Sequence, residues 1–239
     1  MIERAIVLAA GFGKRVLPLT NTTPKPLLKI NKVSLLANTL NFLKKFGVKH
    51  FAINTHHLGE QIENFAETNK GIYDIKIFKE KEILGTGGGI RNALSFFSDK
   101  PFVSINSDTI WSDEYLSPLK NLYKNFTQHN ANSGLLMIKR ENSFDKTLKG
   151  DFTIKSEPFL FRQPGDTNNL IFTGCQIINP ILLKDKKKNI VEALKLTDWT
   201  LKEAAYEKKY GKIPPPPPPT PITFMILGRS ELKSASLVD

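Results

Sequence analysis

The chain opens on an unbroken apolar run, Ala5-Ile6-Val7-Leu8, which reads as a buried strand. Helical and strand periodicities alternate from there. Leu35, Leu36, Leu40, Leu43 and Phe46 recur at helical spacing behind Ser34, an N-cap, and Gly47 closes that helix. Residues 49–54 read as a strand, 58–67 as a short amphipathic helix, and 74–79 (DIKIFK) as an alternating strand. A glycine-rich loop over 84–89 leads into a helix over 90–97. Then follow a buried strand at 101–106, a helix at 112–128 and a strand at 134–138. From about 144 to 162 short strands with polar turns predict a small β insertion over the functional site. Residues 170–178 form a core strand, 199–210 a helix, and 222–227 a last strand. There is no internal repeat.

This alternation predicts an α/β protein, a Rossmann-like, doubly wound and mostly parallel sheet with a small β insertion. Residues 1–239 make one domain with a core over about 1–212. The segment 213–239 is atypical. Its six consecutive prolines, Pro214 to Pro219, favour polyproline II, which joins neither a sheet centre nor a helix.

Composition changes the picture in two places. Hydrophobic content of 40% and charged content of 24% describe a globular chain, with no apolar run near the roughly 20 residues of a membrane span. The first strand follows the amino terminus with no signal-peptide pattern, and a single cysteine, Cys175, excludes an internal disulfide; both argue for the cytoplasm. Cys175 itself reads as an inert buried thiol. The net charge of +11 raises nucleic acid as a partner. The lysines are scattered, however, apart from the run Lys184 to Lys188, and no zinc-finger, RNP or basic-zipper pattern occurs. No nucleic acid and no membrane is expected; a basic RNA-binding module is the outsider, and the oligomeric state stays open.

The candidate chemistry begins where the first strand ends. Gly11 and Gly13 let backbone approach a ligand. Lys14 and Arg15 follow, and Pro24-Lys25-Pro26 adds a third cation on a stiffened stem. A strand, a glycine loop and fixed cations make a cradle for a chain of phosphates. Val16 stands where a dinucleotide fingerprint has its third glycine, and no Gly-Lys-Ser/Thr triplet marks a P-loop. The second glycine string, Gly85-Thr86-Gly87-Gly88-Gly89, offers backbone amides to a flat base. Asn106-Ser107-Asp108 ends a buried strand, where ligands of open α/β sheets gather, and a carboxylate there suits Mg²⁺. His56 and His57 point to different sides of an extended chain and are poor partners for one metal.

Leu8 to Leu27, LAAGFGKRVLPLTNTTPKPL, resembles the signature of the sugar-1-phosphate nucleotidyltransferases, L-A-A-G-x-G-x-R-x-x-P-x-T-x-x-x-P-K-P-L, at every fixed position. Leu84 to Gly88 is similar to the family's second nucleotide motif, L-G-T-A-G, with Gly87 in place of alanine. The resemblance covers about residues 3–212 and implies the nucleotide-diphospho-sugar transferase type of fold. It assigns Ala10, Gly11, Gly13, Lys14, Gly87 and Asn106 to the nucleotide, Arg15 to the β/γ-phosphates, Lys25 to the α-phosphate and incoming sugar phosphate, and Asp108 to Mg²⁺. Gly150, in a G-D-F step, and Thr173-Gly174 fall on the sugar side. Asn54-Thr55-His56-His57-Leu58-Gly59-Glu60-Gln61-Ile62 resembles the branch holding N-acetylmuramate-1-phosphate uridylyltransferase and the short mannose-1-phosphate guanylyltransferases.

The resemblance implies that an NTP and a sugar-1-phosphate give an NDP-sugar and pyrophosphate, with UTP and N-acetylmuramate-1-phosphate the expected pair in cell-wall recycling. GTP with mannose-1-phosphate is the alternative. A late W-x-D-I-G-T-P segment, which supplies a second metal aspartate in the family, has no counterpart here; one register puts Met225 at that position. Another carboxylate such as Asp198 substitutes, or catalysis is impaired, or the terminal sequence has been altered. The missing aspartate also gives weight to a rival of another class, a nucleotide-sugar-binding regulatory subunit without turnover.

Overall fold

A computed structural model describes residues 1–143, 145–156, 159–161, 168–184 and 223–226. The helix expected over 199–210, Asp198, the lysines after Lys184 and the proline run lie outside them. Among the described residues the strands are β1 (Arg4–Leu8), β2 (Lys29–Ile30), β3 (Val33–Ser34), β4 (His50–Thr55), β5 (Asp74–Lys79), β6 (Phe102–Asn106), β7 (Ser133–Lys139), β8 (Thr153–Ser156), β9 (Phe159–Phe161), β10 (Leu170–Ile178) and β11 (Thr223–Ile226). The helices are α1 (Leu35–Phe46), α2 (Gly59–Thr68), α3 (Gly85–Asn92), α4 (Leu116–Gln128) and α5 (Ile181–Lys184).

Nine strands form one sheet in the order β5-β4-β1-β6-β10-β7-β11-β9-β8. β5, β4, β1 and β6 are parallel neighbours, and β11 pairs parallel with β7. β10 runs antiparallel between β6 and β7. Alternation along β1 feeds two cores. Ala5 and Val7 join a cluster with Leu36, Leu40 and Leu43 of α1, Ile62 of α2 and Leu119 and Leu122 of α4. Ile6 faces the other way, onto Ile90 of α3, Phe97, Phe102 and Leu183 of α5. Helices on both faces make the sheet doubly wound.

Local signals explain both ends of α1. Ser34 Oγ accepts from the Ala37 amide at 3.1 Å, the capping bond expected for α1, worth about 1 kcal/mol. Gly47, at φ 117°, takes the left-handed position that ends α1.

Two expectations are corrected, and one element is new. The string 84–89 is not a loop: α3 begins at Gly85, so its glycines are the helix's first turns, and the chain from Leu94 to Phe97 continues as a 3₁₀ helix. The described part of the β insertion, β8 and β9, does not lie over the carboxyl ends of β1 and β6. It extends the far edge of the sheet, separated from β6 by β10, β7 and β11, and packs Phe152, Ile154 and Leu160 on Leu135 and Met137 of β7. The β2–β3 hairpin was not anticipated; two residues at positive φ, Asn31 and Lys32, turn it. No helix among the described residues is long and apolar enough to cross a membrane.

Candidate active site

Leu8, Asn54 and Asn106 stand level across three adjacent parallel strands, at or next to their carboxyl ends. The segments leaving those ends wall a cleft of about 360 Å³. Ala10, Gly11, Gly13, Lys14, Arg15 and Lys25 line it from the first loop, Asn106 and Asp108 from the end of β6, and Glu80, Gly85 and Thr86 from beyond β5. Of the other residues singled out in the sequence, Gly87 sits one residue further into α3. Gly174 (φ 84°) comes from β10 onto Asn106: a Cβ on it would stand 2.6 Å from Asn106 Nδ2. Thr173 is turned toward β7, its Oγ1 donating to the Leu136 carbonyl at 2.8 Å. Gly150 packs on the backbone of Asn168, whose carbonyl fills the place a Cβ would take.

Contacts within the first loop shape it. Gly13 has φ 64°, and a Cβ there would meet Thr20 Cγ2 at 2.8 Å. The Gly13 carbonyl accepts from Val16 N and from the hydroxyl of buried Thr20. Lys14 and Arg15 therefore sit in a single 3₁₀ turn, exposed at the cleft mouth. The N-T-H-H-L-G-E-Q-I stretch grips this loop from outside. His57 Nε2 donates to the Thr20 carbonyl (3.1 Å), Gln61 Nε2 to the Thr22 carbonyl (2.8 Å), and Phe12 packs on both histidine rings. His56 turns away and donates from Nδ1 to the Glu80 carbonyl at 2.9 Å. The two imidazoles thus have separate partners.

The charged centre is the pair Lys25 Nζ–Asp108 Oδ2, at 2.6 Å and partly exposed. Lys25 is held between the buried Pro24 and Pro26. Ser107 anchors the chain before Asp108, its hydroxyl donating to the Leu8 carbonyl at 2.7 Å. Among the described residues no three His, Cys, Asp or Glu side chains gather as a metal site. Asp108, the partly exposed carboxylate of the cleft, suits a hard cation whose remaining ligands come from substrate and water. Cys175 is fully buried on β10, and burial pushes its thiol up.

Two residues of this cleft form a pair that no motif indicates. Asn54 and Glu80 are buried, at 3% and 6% exposure, and hydrogen-bonded to each other at 2.8 Å. The available signal was positional: each is a polar residue at or just past the carboxyl end of an apolar strand.

The fold agrees with comparisons to known proteins. A nucleotidyl transferase family model matches residues 4–146. The chain is 31% identical over 180 residues to the N-acetylmuramate alpha-1-phosphate uridylyltransferase of Neisseria meningitidis serogroup B, covering 74% of this chain and 75% of that one. It is 33% identical over 190 residues to the D-glycero-alpha-D-manno-heptose 1-phosphate guanylyltransferase of Campylobacter jejuni, covering 77% and 81%. Among solved structures, a UTP-bound UGPase from Acinetobacter baumannii superposes with a TM-score of 0.69 at 15% identity, over 95% of this chain and 86% of that one. The chain belongs to the nucleotidyl transferase family, among the enzymes that act on sugar-1-phosphates.

Proposed function

We propose that this protein transfers a uridylyl group from UTP to N-acetylmuramate-1-phosphate, releasing pyrophosphate. The observation that carries the transferase reading is the convergence of Lys14, Arg15, Lys25 and Asp108 on one glycine-walled cleft. Uridine and the muramate sugar are supported by the likeness to the Neisseria enzyme; the N-T-H-H-L-G-E-Q-I segment supports the branch that holds both the uridylyl and the guanylyl enzymes.

In the reaction an oxygen of the sugar phosphate attacks the α-phosphorus in line. The new P–O bond forms as the bond to the β-phosphate oxygen breaks, and the electron pair leaves on pyrophosphate. No protein nucleophile is needed; positioning and charge stabilisation supply the rate. Ala10, Gly11 and Gly13 hold the nucleotide beside Gly85, Thr86 and Gly87, with Asn106 on the cleft floor. Lys14 helps to hold the nucleotide, and Arg15 meets the β- and γ-phosphates and neutralises charge growing on the leaving group. Lys25 lies between the α-phosphate and the sugar phosphate. Asp108 would hold Mg²⁺, which would supply charge stabilisation to the phosphate oxygens. Gly150, Thr173 and Gly174 form the sugar side, in a soluble cytoplasmic enzyme serving peptidoglycan recycling.

The guanylyl alternative, with mannose-1-phosphate as acceptor, is favoured by likenesses of the same order to guanylyltransferases: 33% to the Campylobacter heptose-1-phosphate enzyme and 29% to mannose-1-phosphate enzymes. Calorimetric titration with UTP and GTP separates the two. UTP is expected to bind at least 10-fold tighter, about 1.4 kcal/mol. Pyrophosphate release with N-acetylmuramate-1-phosphate, mannose-1-phosphate and a heptose-1-phosphate then identifies the acceptor. Tighter GTP binding transfers the assignment to the guanylyl reading.

A further inference from the structure

The mechanism leaves one buried carboxylate without a task. Glu80 follows β5 and is 6% exposed. Asn54 Nδ2 donates to its Oε1 at 2.8 Å, and the Leu84 amide donates to its Oε2 at 2.9 Å. Asn54, at the end of β4, accepts the Ala9 amide on Oδ1 at 2.8 Å. One unbroken series of hydrogen bonds thus runs from the residue opening the first glycine loop to the residue capping α3. The backbone of Glu80 is fixed as well: its amide donates to the Thr55 carbonyl at 2.8 Å, and its carbonyl accepts from His56. The fold leaves room for this series. A Cβ on Gly89 would stand 2.6 Å from Asn54 Nδ2 and 2.8 Å from Glu80 Oε1.

We infer that Asn54 and Glu80 are positioning residues, a strut that sets the gap between the Ala9–Gly13 loop and the start of α3. The inference rests on the reading of this cleft as a nucleotide site. Two walls that grip one ligand with backbone amides must be held to within a few tenths of an ångström to act together. A buried carboxylate whose oxygens both accept is stiff, because losing either bond leaves a charge unsatisfied away from water.

The polarity of the series supplies its test. In Glu80→Gln, one end of the new amide turns an N–H toward a donor, either Asn54 Nδ2 or the Leu84 amide. In Asn54→Asp, two carboxylates face each other. The double variant Asn54→Asp/Glu80→Gln repairs both: the aspartate accepts from Ala9 and from the glutamine amide, whose oxygen accepts from Leu84. Net charge is unchanged. Dissociation constants for UTP and GTP are measured by calorimetry well below the melting temperature of each variant. Each single variant is expected to weaken the preferred triphosphate about 10-fold or more, and the double variant to return within about 3-fold of the parent. Parent-like binding by Glu80→Gln, or a double variant as weak as the worse single one, overturns the strut, since a Glu80 that touched ligand directly would not be replaced by a carboxylate at position 54. A parent protein that binds neither triphosphate overturns the reading of the cleft itself.

Discussion

Arg15 stands exposed in a single turn whose shape depends on the Gly13 carbonyl and Thr20. Removing its guanidinium leaves the turn in place and takes away only charge. Arg15→Ala is expected to lower turnover at least 100-fold, about 2.7 kcal/mol of transition-state stabilisation, measured as pyrophosphate release by a variant with unchanged melting temperature. Lys25 is a sharper case because it already touches Asp108 at 2.6 Å. A lysine is a point charge that can leave; an arginine fork would clasp the carboxylate through two bonds. Lys25→Arg is therefore expected to be nearly as inactive as Lys25→Ala and to need more Mg²⁺; wild-type turnover in Lys25→Arg would refute this. These cations were readable from sequence because proline and glycine fix them locally. Asn54 and Glu80 were not, because their partnership spans two strands and 26 residues, and no local pattern records it.

Elements show the same division. α1 was readable from its apolar spacing and its Ser34 and Gly47 ends, all properties of contiguous residues. α3 was not, since a string of glycines has poor helix propensity, roughly 1 kcal/mol per residue below alanine. Tertiary contacts override it: the Glu80 carboxylate meets the Leu84 amide at the positive end of the helix, and Ile90 packs in the core. Two effects therefore compete in Gly89→Ala. Propensity alone would stabilise α3 by up to about 1 kcal/mol. The new methyl instead falls 2.6 Å from Asn54 Nδ2, among buried partners that cannot easily give way. The clash is expected to win, with a lowered denaturant midpoint and weakened triphosphate binding. A raised midpoint would show that the neighbours relax.

Across the whole molecule, the sheet brings the carboxyl-terminal strand to the functional end. β11 lies beside β7 with Met225 opposite Leu136, the residue whose carbonyl accepts from Thr173. The sequence resemblance puts Met225 where the second metal aspartate would be expected, and a thioether is no ligand for Mg²⁺. A site with Asp108 as its protein ligand is expected to bind triphosphate yet require unusually high Mg²⁺. Met225→Asp should lower that requirement, read from pyrophosphate release against Mg²⁺ concentration. Full activity of the parent at ordinary Mg²⁺ would mean that another carboxylate serves. Strand order itself was beyond the sequence pattern: periodicity identified β10 as a core strand but held no information about its neighbours. Its place between β6 and β7 has a further consequence, for synthesis. The residues lining the cleft all lie at or before Asp108, whereas the strand that closes the edge of β6 begins about sixty residues later. At roughly 5–20 residues per second, the nascent chain carries a bare sheet edge beside those residues for several seconds, the interval in which mispairing with another chain competes with folding.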